Sequence, residues 1–201
     1  MKYLISFKES KLTKFIRSVK KAKEFASDAH AGTFRKSVGD DGDKVPYIIH
    51  PDIVARIVHE VKDSKQIADL IIAAYLHDTV EDTDITIEDI RGKFGDLVAS
   101  LVSELTSDEE KIKLVGKEKY LIDKLLNMSS WALVIKLADR LHNLSDFEKI
   151  LSGTDQKRKR WVKEYAKETR NIIDELDYGR DLSKTQRVLV DRINKMLDLV
   201  L

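Results

Sequence analysis

Tyr75-Leu76-His77-Asp78-Thr79-Val80-Glu81-Asp82-Thr83 is the stretch around which the rest of the chain is organised. A histidine and an aspartate stand side by side in it, and the acidic pair Glu81-Asp82 follows about one helical turn later. The apolar run 67–76 leads directly into these four ionisable groups. A buried helix rarely ends in such a cluster unless a metal ion or a reaction needs it, so the stretch indicates a functional site. The alternative is an acidic helix end with one isolated histidine.

The composition favours long amphipathic helices. A chain of 201 residues is long enough to bury a core, and one domain is the default at this length. Charged residues make up 35% and hydrophobic residues 42%, which is typical of amphipathic helices rather than of disorder. We predict one domain over residues 1–201, with the C-terminal helices of 155–201 packing on the rest. A homo-oligomer contact is the alternative role for these terminal helices.

Charge, cysteine content and hydropathy limit the classes of partner. The formal net charge of +1 gives no electrostatic reason to expect nucleic acid or an acidic membrane as a partner. The chain has no cysteine, which excludes disulfides and thiolate metal sites. No apolar run approaches the roughly 20 residues of a membrane span, and residues 1–10 lack the features of a signal peptide. We therefore expect a cytoplasmic protein.

Local signals predict where several helices begin and end. Glycine and proline break the helical pattern over 33–49, which predicts a loop, and His50-Pro51 then opens a helix because proline suits the first helical position. The charge-dense segment 106–119 is expected to be mobile. Ser130 is predicted to cap the helix 131–144, whose first half is apolar nearly all round, and we place this helix at the centre of the fold.

One aspartate interrupts the buried stripe of this central helix. Asp139 shares a helix face with Lys136, three residues before it, and with Asn143, four residues after it. A single buried aspartate is commonly a structural group whose hydrogen bonds are satisfied. In a chain that also offers His50 and His77-Asp78, it can complete a site of two histidines and two aspartates. Imidazole and carboxylate ligands without thiolate suit Mn, Fe or Zn.

The order His50, His77-Asp78, Asp139 resembles the H…HD…D pattern of the HD phosphohydrolase superfamily, an all-helical fold. This resemblance implies an HD-domain helical bundle with a metal site between central helices. Longer blocks narrow it to the hydrolase domain of RelA/SpoT-type alarmone enzymes, over about residues 20–150. In chain order the blocks are Arg35-Lys36-Ser37, Pro46-Tyr47-Ile48-Ile49-His50-Pro51, His77-Asp78-Thr79-Val80-Glu81-Asp82-Thr83, Phe94-Gly95 and Lys136-Leu137-Ala138-Asp139-Arg140-Leu141-His142-Asn143-Leu144. Since the chain is too short to add a synthetase domain, it is similar to the small, hydrolase-only alarmone enzymes.

What the resemblance implies is metal-dependent hydrolysis of the 3′-pyrophosphate from ppGpp and pppGpp, usually with Mn²⁺. Binuclear members of the superfamily carry further histidine ligands between the HD pair and the last aspartate. Residues 79–138 contain no histidine, so we expect one divalent metal ion. By resemblance, the metal ligands are His50, His77, Asp78 and Asp139, the catalytic acidic pair is Glu81 and Asp82, and the substrate contacts are Arg35, Lys36, Ser37 and Asn143.

Elementary chemistry agrees with these roles. Pyrophosphate hydrolysis needs an activated water and neutralisation of the phosphate charge. Glu81 or Asp82 could orient or deprotonate the water, and Arg35 with Lys36 could hold the polyphosphate. His142 and His30 are left with two open roles each, either outer-shell support for the metal ligands or packing near the base.

Two departures from the family pattern leave the nucleotide open. The stretch between Ser37 and Pro46 is longer than is common, and Ser145 stands where family members usually carry an arginine. Another nucleotide, such as ppApp or NADPH, is therefore an alternative substrate. A metal-bearing regulator without turnover is a third alternative, but the acidic pair Glu81-Asp82 argues against it because a pure binder would not need these carboxylates.

Overall fold

The computed structural model describes residues 2–35, 44–62 and 64–201. In these ranges the chain forms twelve helices and one isolated β-bridge, between Phe34 and Pro46, which confirms the all-α prediction. The helices are α1 (Lys2–Ala29), α2 (Ile49–Val61), α3 (Ile67–Leu76), α4 (Thr79–Asp82), α5 (Ile87–Phe94), α6 (Asp96–Leu105), α7 (Glu109–Val115), α8 (Lys117–Asn127), α9 (Ser130–Ser145), α10 (Phe147–Ser152), α11 (Gln156–Gly179) and α12 (Lys184–Asp198).

Helix α9 lies at the centre, as the sequence predicts. It packs against α2, α3, α6 and α12, and nearly all of its side chains from Ala132 to Leu144 are buried. Its N-cap is Ser129, whose side chain accepts a hydrogen bond from the backbone N–H of Ala132, so the prediction that Ser130 caps the helix is wrong by one residue. The reason is conformational, because Ser130 already has helical geometry.

A break in the backbone separates α3 from α4. Helix α3 is buried over most of its length and ends at Leu76, so His77 and Asp78 form a turn before the four residues of α4. The Thr79 hydroxyl donates to the Leu76 carbonyl at 2.7 Å and satisfies one of the free carbonyls at the helix end. Because of this turn, the side chains of two consecutive residues reach the same point between the helices.

The outer helices complete the bundle. Segment 106–119, where we predict mobility, contains all of α7, and Asp108 caps that helix by accepting from the Lys111 backbone N–H. Gly116 follows at φ 87°, a left-handed conformation that favours glycine. Helix α11 packs on α8 and α10, and α12 packs on α9. Among the described helices, none combines the length and apolar character needed to cross a membrane.

Candidate active site

Three buried side chains from three different parts of the fold converge between α2, α3 and α9. One ring nitrogen each from His50 and His77 and one carboxylate oxygen from Asp139 all lie within 4.8 Å of one another. The two Nε2 atoms are 3.2 Å apart, and the Asp139 Oδ1 atom is 3.2 Å from His50 Nε2. This arrangement aims two imidazoles and a carboxylate at a common centre.

Asp78 brings a second carboxylate to the two histidines. Its Oδ2 atom lies 2.9 Å from His77 Nε2 and 3.6 Å from His50 Nε2. The Tyr47 hydroxyl donates to the same oxygen at 2.5 Å and holds the carboxylate in place. The four residues that the sequence predicts as metal ligands therefore meet at one point.

Hydrogen bonds behind the histidines set their tautomers. His77 Nδ1 lies 2.7 Å from the Ala74 carbonyl, which can only accept, so Nδ1 carries a proton and Nε2 is the nitrogen that faces the centre. His50 Nδ1 lies 2.7 Å from His142 Nδ1 in a stacked pair of rings. Burial, followed by the nearby His50 and Arg35 side chains, lowers the pKa of His142 to about 4. His142 is therefore neutral and can accept the His50 Nδ1 proton, which favours an outer-shell role over packing near the base.

The charges of the cluster favour a cation. Burial alone would raise the pKa of Asp139, but Lys136 and the two histidines hold it well below its usual range. Burial alone would lower the pKa of His77, but the Asp78 carboxylate outweighs burial and raises it to about 9. Two ionised carboxylates and two imidazole nitrogens, buried and supported from behind, fit a divalent metal ion that takes nitrogen and oxygen ligands.

Polar neighbours on α9 orient the Asp139 carboxylate. Lys136 Nζ lies 2.9 Å from Asp139 Oδ2, and Asn143 Nδ2 donates to Asp139 Oδ1 at 2.7 Å. The three side chains share one helix face, as their spacing predicts. Asn143, predicted as a substrate contact, thus lies at the edge of the cluster and also supports a candidate ligand.

The acidic pair lies beside the cluster on α4 and faces solvent. Glu81 Oε2 accepts a hydrogen bond from the Ser107 backbone N–H at 2.8 Å. Partial covering of the Asp82 carboxyl and the negative charges of Asp78 and Glu81 raise the pKa of Asp82. A raised pKa makes this carboxylate a stronger base, which suits it for accepting a proton.

Arg35 is held more firmly than a residue of an open substrate loop. Its side chain is 6% exposed, and its Nη2 atom lies 2.9 Å from Asp146 Oδ2 and 3.4 Å from Asn143 Oδ1. The guanidinium is thus fixed at the C-terminal end of α9. The other two predicted loop residues, Lys36 and Ser37, lie outside the described residues.

Tyr47 and Ser107 hydrogen-bond to predicted site residues but are not predicted as partners from the sequence, which also leaves the role of His142 open. Tyr47 stands in the Pro46–Pro51 block, three residues before His50, but its partner Asp78 is distant in sequence. No local signal connects Ser107 to Glu81, 26 residues away. The position of His142, three residues after Asp139 on the same helix face, was the one available signal for its role.

Comparisons with known proteins cover the whole site. A family profile described as an HD domain matches residues 22–177. The mouse guanosine-3′,5′-bis(diphosphate) 3′-pyrophosphohydrolase MESH1 is 40% identical over 131 residues, which are 64% of this chain and 68% of that protein. The protein of the same name from Xenopus tropicalis is 36% identical over 176 residues, 87% of this chain and 90% of that protein. A solved structure described as a metazoan orthologue of SpoT that hydrolyses ppGpp superposes with a TM-score of 0.71 at 28% identity, over 92% of this chain and 97% of that one.

Proposed function

Because this chain belongs to the HD-domain family, and within it to the relatives of the guanosine-3′,5′-bis(diphosphate) 3′-pyrophosphohydrolases, we infer that it is a metal-dependent hydrolase that removes the 3′-pyrophosphate from ppGpp and pppGpp. One observation carries this inference. The family match over residues 22–177 contains both the buried His/Asp cluster and the acidic pair beside it. The small-molecule partner is accordingly a guanine nucleotide. A cytoplasmic location, a homo-oligomer and a single domain over 1–201 stay predictions of the sequence.

We propose that His50, His77, Asp78 and Asp139 hold one divalent ion, with Mn²⁺ as the ion. The donor set supports this proposal because it offers two imidazoles and two ionised carboxylates without thiolate. The outer-shell bonds to Ala74 and His142 support it further, since they turn both Nε2 atoms inward. When bound, the ion would supply Lewis acidity that activates a water molecule and neutralises phosphate charge.

The acidic pair would orient the attacking water and accept a proton from it. We propose that Glu81 orients the attacking water and that Asp82 accepts a proton from it, which the raised pKa of Asp82 supports. The water oxygen forms a bond to the phosphorus that bears the ribose 3′-oxygen, and the bond from that phosphorus to the 3′-oxygen breaks. The 3′-oxygen leaves as a hydroxyl after taking up a proton, and pyrophosphate is released intact.

The substrate would lie between α9 and the segment that follows α1. We propose that Arg35, Lys36 and Ser37 contact the phosphates and that Asn143 contacts the nucleoside. The position of the Arg35 guanidinium beside Asn143 supports a shared role. Its Nε–H is buried without a hydrogen-bond partner among the described residues, which supports a role in contacting a polar ligand.

The test is a substrate panel. Purified protein with Mn²⁺ is incubated with ppGpp, pppGpp, ppApp and NADPH, and the products are identified by ³¹P NMR. We expect intact pyrophosphate from ppGpp and pppGpp. Phosphate release from NADPH alone would assign the site to another nucleotide, and binding of metal without turnover of any nucleotide would favour a regulator.

A further inference from the structure

A lysine of α8, Lys124, hydrogen-bonds to backbone carbonyls at the C-terminal end of α6. A helix leaves its last backbone carbonyls without helical partners, and a cation satisfies them well because that end of the helix is partially negative. Lys124 Nζ donates to the Leu105 carbonyl at 3.2 Å and to the Thr106 carbonyl at 2.5 Å. The lysine thereby fixes the last residue of α6 and the first residue after it.

The backbone N–H groups of the next two residues of this turn, Ser107 and Asp108, are also hydrogen-bonded. Asp108 donates its backbone N–H to the Tyr120 hydroxyl oxygen at 2.8 Å, and Lys124 Nζ lies 3.3 Å from the same oxygen. Ser107, between these anchors, donates its backbone N–H to Glu81 Oε2. A single connected network therefore runs from α8 through the 106–108 turn to the acidic pair.

The network matters for Glu81 because little else fixes that side chain. Glu81 is exposed and stands on α4, which has four residues. A long exposed side chain samples several rotamers, and selecting one of them costs conformational entropy. A fixed N–H at 2.8 Å from the carboxylate favours one orientation before substrate arrives.

We propose that Lys124 and Tyr120 are positioning residues for the hydrolysis, because they fix the 106–108 turn whose Ser107 N–H orients Glu81. The inference rests on the proposed function, in which Glu81 acts on the attacking water. Neither residue touches the substrate or the metal ligands in this assignment. Their effect on turnover passes through Glu81.

The charge on Lys124 makes the network sensitive to pH. The charged groups that face its ammonium are Lys136, Glu81, Asp108 and Lys111, and burial followed by the charge of Lys136 lowers its pKa to about 8. As pH rises through this value, the ammonium becomes a neutral amine with one donor fewer and a weaker attraction to the helix end. The fixing of the turn therefore weakens above about pH 8.

Replacement of the lysine tests the assignment. Lys124→Met keeps most of the length of the side chain and removes its donors, so we expect kcat to fall about ten-fold with KM and Mn²⁺ affinity unchanged. Lys124→Arg keeps two or more donors, so it should restore most of kcat and extend activity further into the alkaline range. Lys119→Met, an exposed position on the same helix, is the matched control and should leave kcat unchanged. Equal losses in Lys124→Met and Lys124→Arg would overturn the assignment.

A double-mutant cycle shows whether the lysine acts through Glu81. In a Glu81→Ala background, Lys124→Met should change kcat less than two-fold, whereas multiplied losses would overturn the inference. Tyr120→Phe, which removes the hydroxyl that accepts from Asp108, gives the same test if Lys124→Met folds poorly. Wild-type protein without turnover of ppGpp would contradict the proposed function alone. Amide exchange at Ser107, followed by NMR, then tests the network without substrate, and exchange as slow in Lys124→Met as in wild type would overturn it.

Discussion

The buried cluster and the acidic pair are built in different ways, although residues 75–83 supply half of the first and all of the second. The cluster takes its side chains from the packed faces and ends of α2, α3 and α9, and hydrogen bonds from behind set the orientation of each ring. The acidic pair faces solvent on α4, and Glu81 depends on a turn 26 residues away. In the proposed assignment, metal binding therefore depends on the core, whereas turnover also depends on a distant surface turn. Substitutions should therefore separate the two properties.

The largest effect is expected in the cluster. Asp78→Ala removes one of two carboxylates from a buried centre that also holds two imidazoles, so both Mn²⁺ binding and turnover should be lost. Calorimetric titration with Mn²⁺ and a ppGpp hydrolysis assay measure the two properties. Asp84→Ala, an exposed position just after α4, is the control and should behave as wild type. Retained metal in Asp78→Ala would contradict the role given to this ligand.

The next effect should fall on turnover alone. Glu81→Ala should lower kcat by about 10²–10⁴-fold, the range for loss of a group that handles protons, while most of the metal affinity stays. The physical reason is that the Glu81 carboxylate bonds to the Ser107 N–H, whereas the Asp78 carboxylate lies 2.9 Å from His77 Nε2. The same two assays apply. A loss of metal as large as that in Asp78→Ala would refute the separation of the two regions.

The pH dependence of metal affinity tests the protonation of His77 in the cluster. The pKa of His77 in the metal-free protein is raised to about 9, so below that pH a proton must leave before Nε2 can bind a metal ion. Mn²⁺ affinity should therefore rise up to about ten-fold per pH unit below pH 9 and flatten above it. Titration calorimetry in buffers of different ionisation enthalpy counts the released protons. Affinity that is independent of pH between 6 and 8 would contradict a protonated His77.

The smallest effect concerns Arg35, whose guanidinium lies at the C-terminal end of α9. Asp146→Asn removes the charge that holds Arg35, so the unfolding free energy should fall by about 1–2 kcal/mol and KM should rise several-fold because the guanidinium is less well placed. Thermal unfolding and initial-rate kinetics measure the two changes. Asp177→Asn, in an exposed ion pair with Arg187, is the matched control and should change neither. An unchanged KM would place Arg35 outside the substrate site.

The cluster could be predicted from the sequence because the order His50, His77-Asp78, Asp139 resembles a known family pattern, and helical spacing adds the neighbours of Asp139. In a helix of normal pitch Asp139, Lys136 and Asn143 lie on one face, and in the structure Lys136 and Asn143 both contact the Asp139 carboxylate. Helix α2 begins at Ile49, so Pro51 is its third residue and not its first as predicted, although the first turn still tolerates a proline because the N–H there has no helical partner. Long apolar helices then have few ways to bury these faces other than against one another.

The supports of the acidic pair could not be predicted, since they depend on contacts that no periodicity encodes. The charge-dense segment 106–119 is predicted to be mobile from its composition, and it contains α7, which Asp108 caps at the N-terminus and Gly116 ends. The bond from Ser107 to Glu81 joins two turns that only tertiary packing brings together. The pair between Arg35 and Asp146 is of the same kind, because a loop residue meets a helix end more than a hundred positions later.

The origin of the candidate ligands on α2, the turn after α3, and α9 has a thermodynamic consequence. An unfolded chain spreads these residues over some ninety positions of sequence, so the divalent ion has no preformed site there and its binding free energy is added to that of folding. At an ion concentration about 100 times the dissociation constant, this linkage is worth about 2.7 kcal/mol. The proposed ion would therefore slow proteolysis of the protein as well as support turnover.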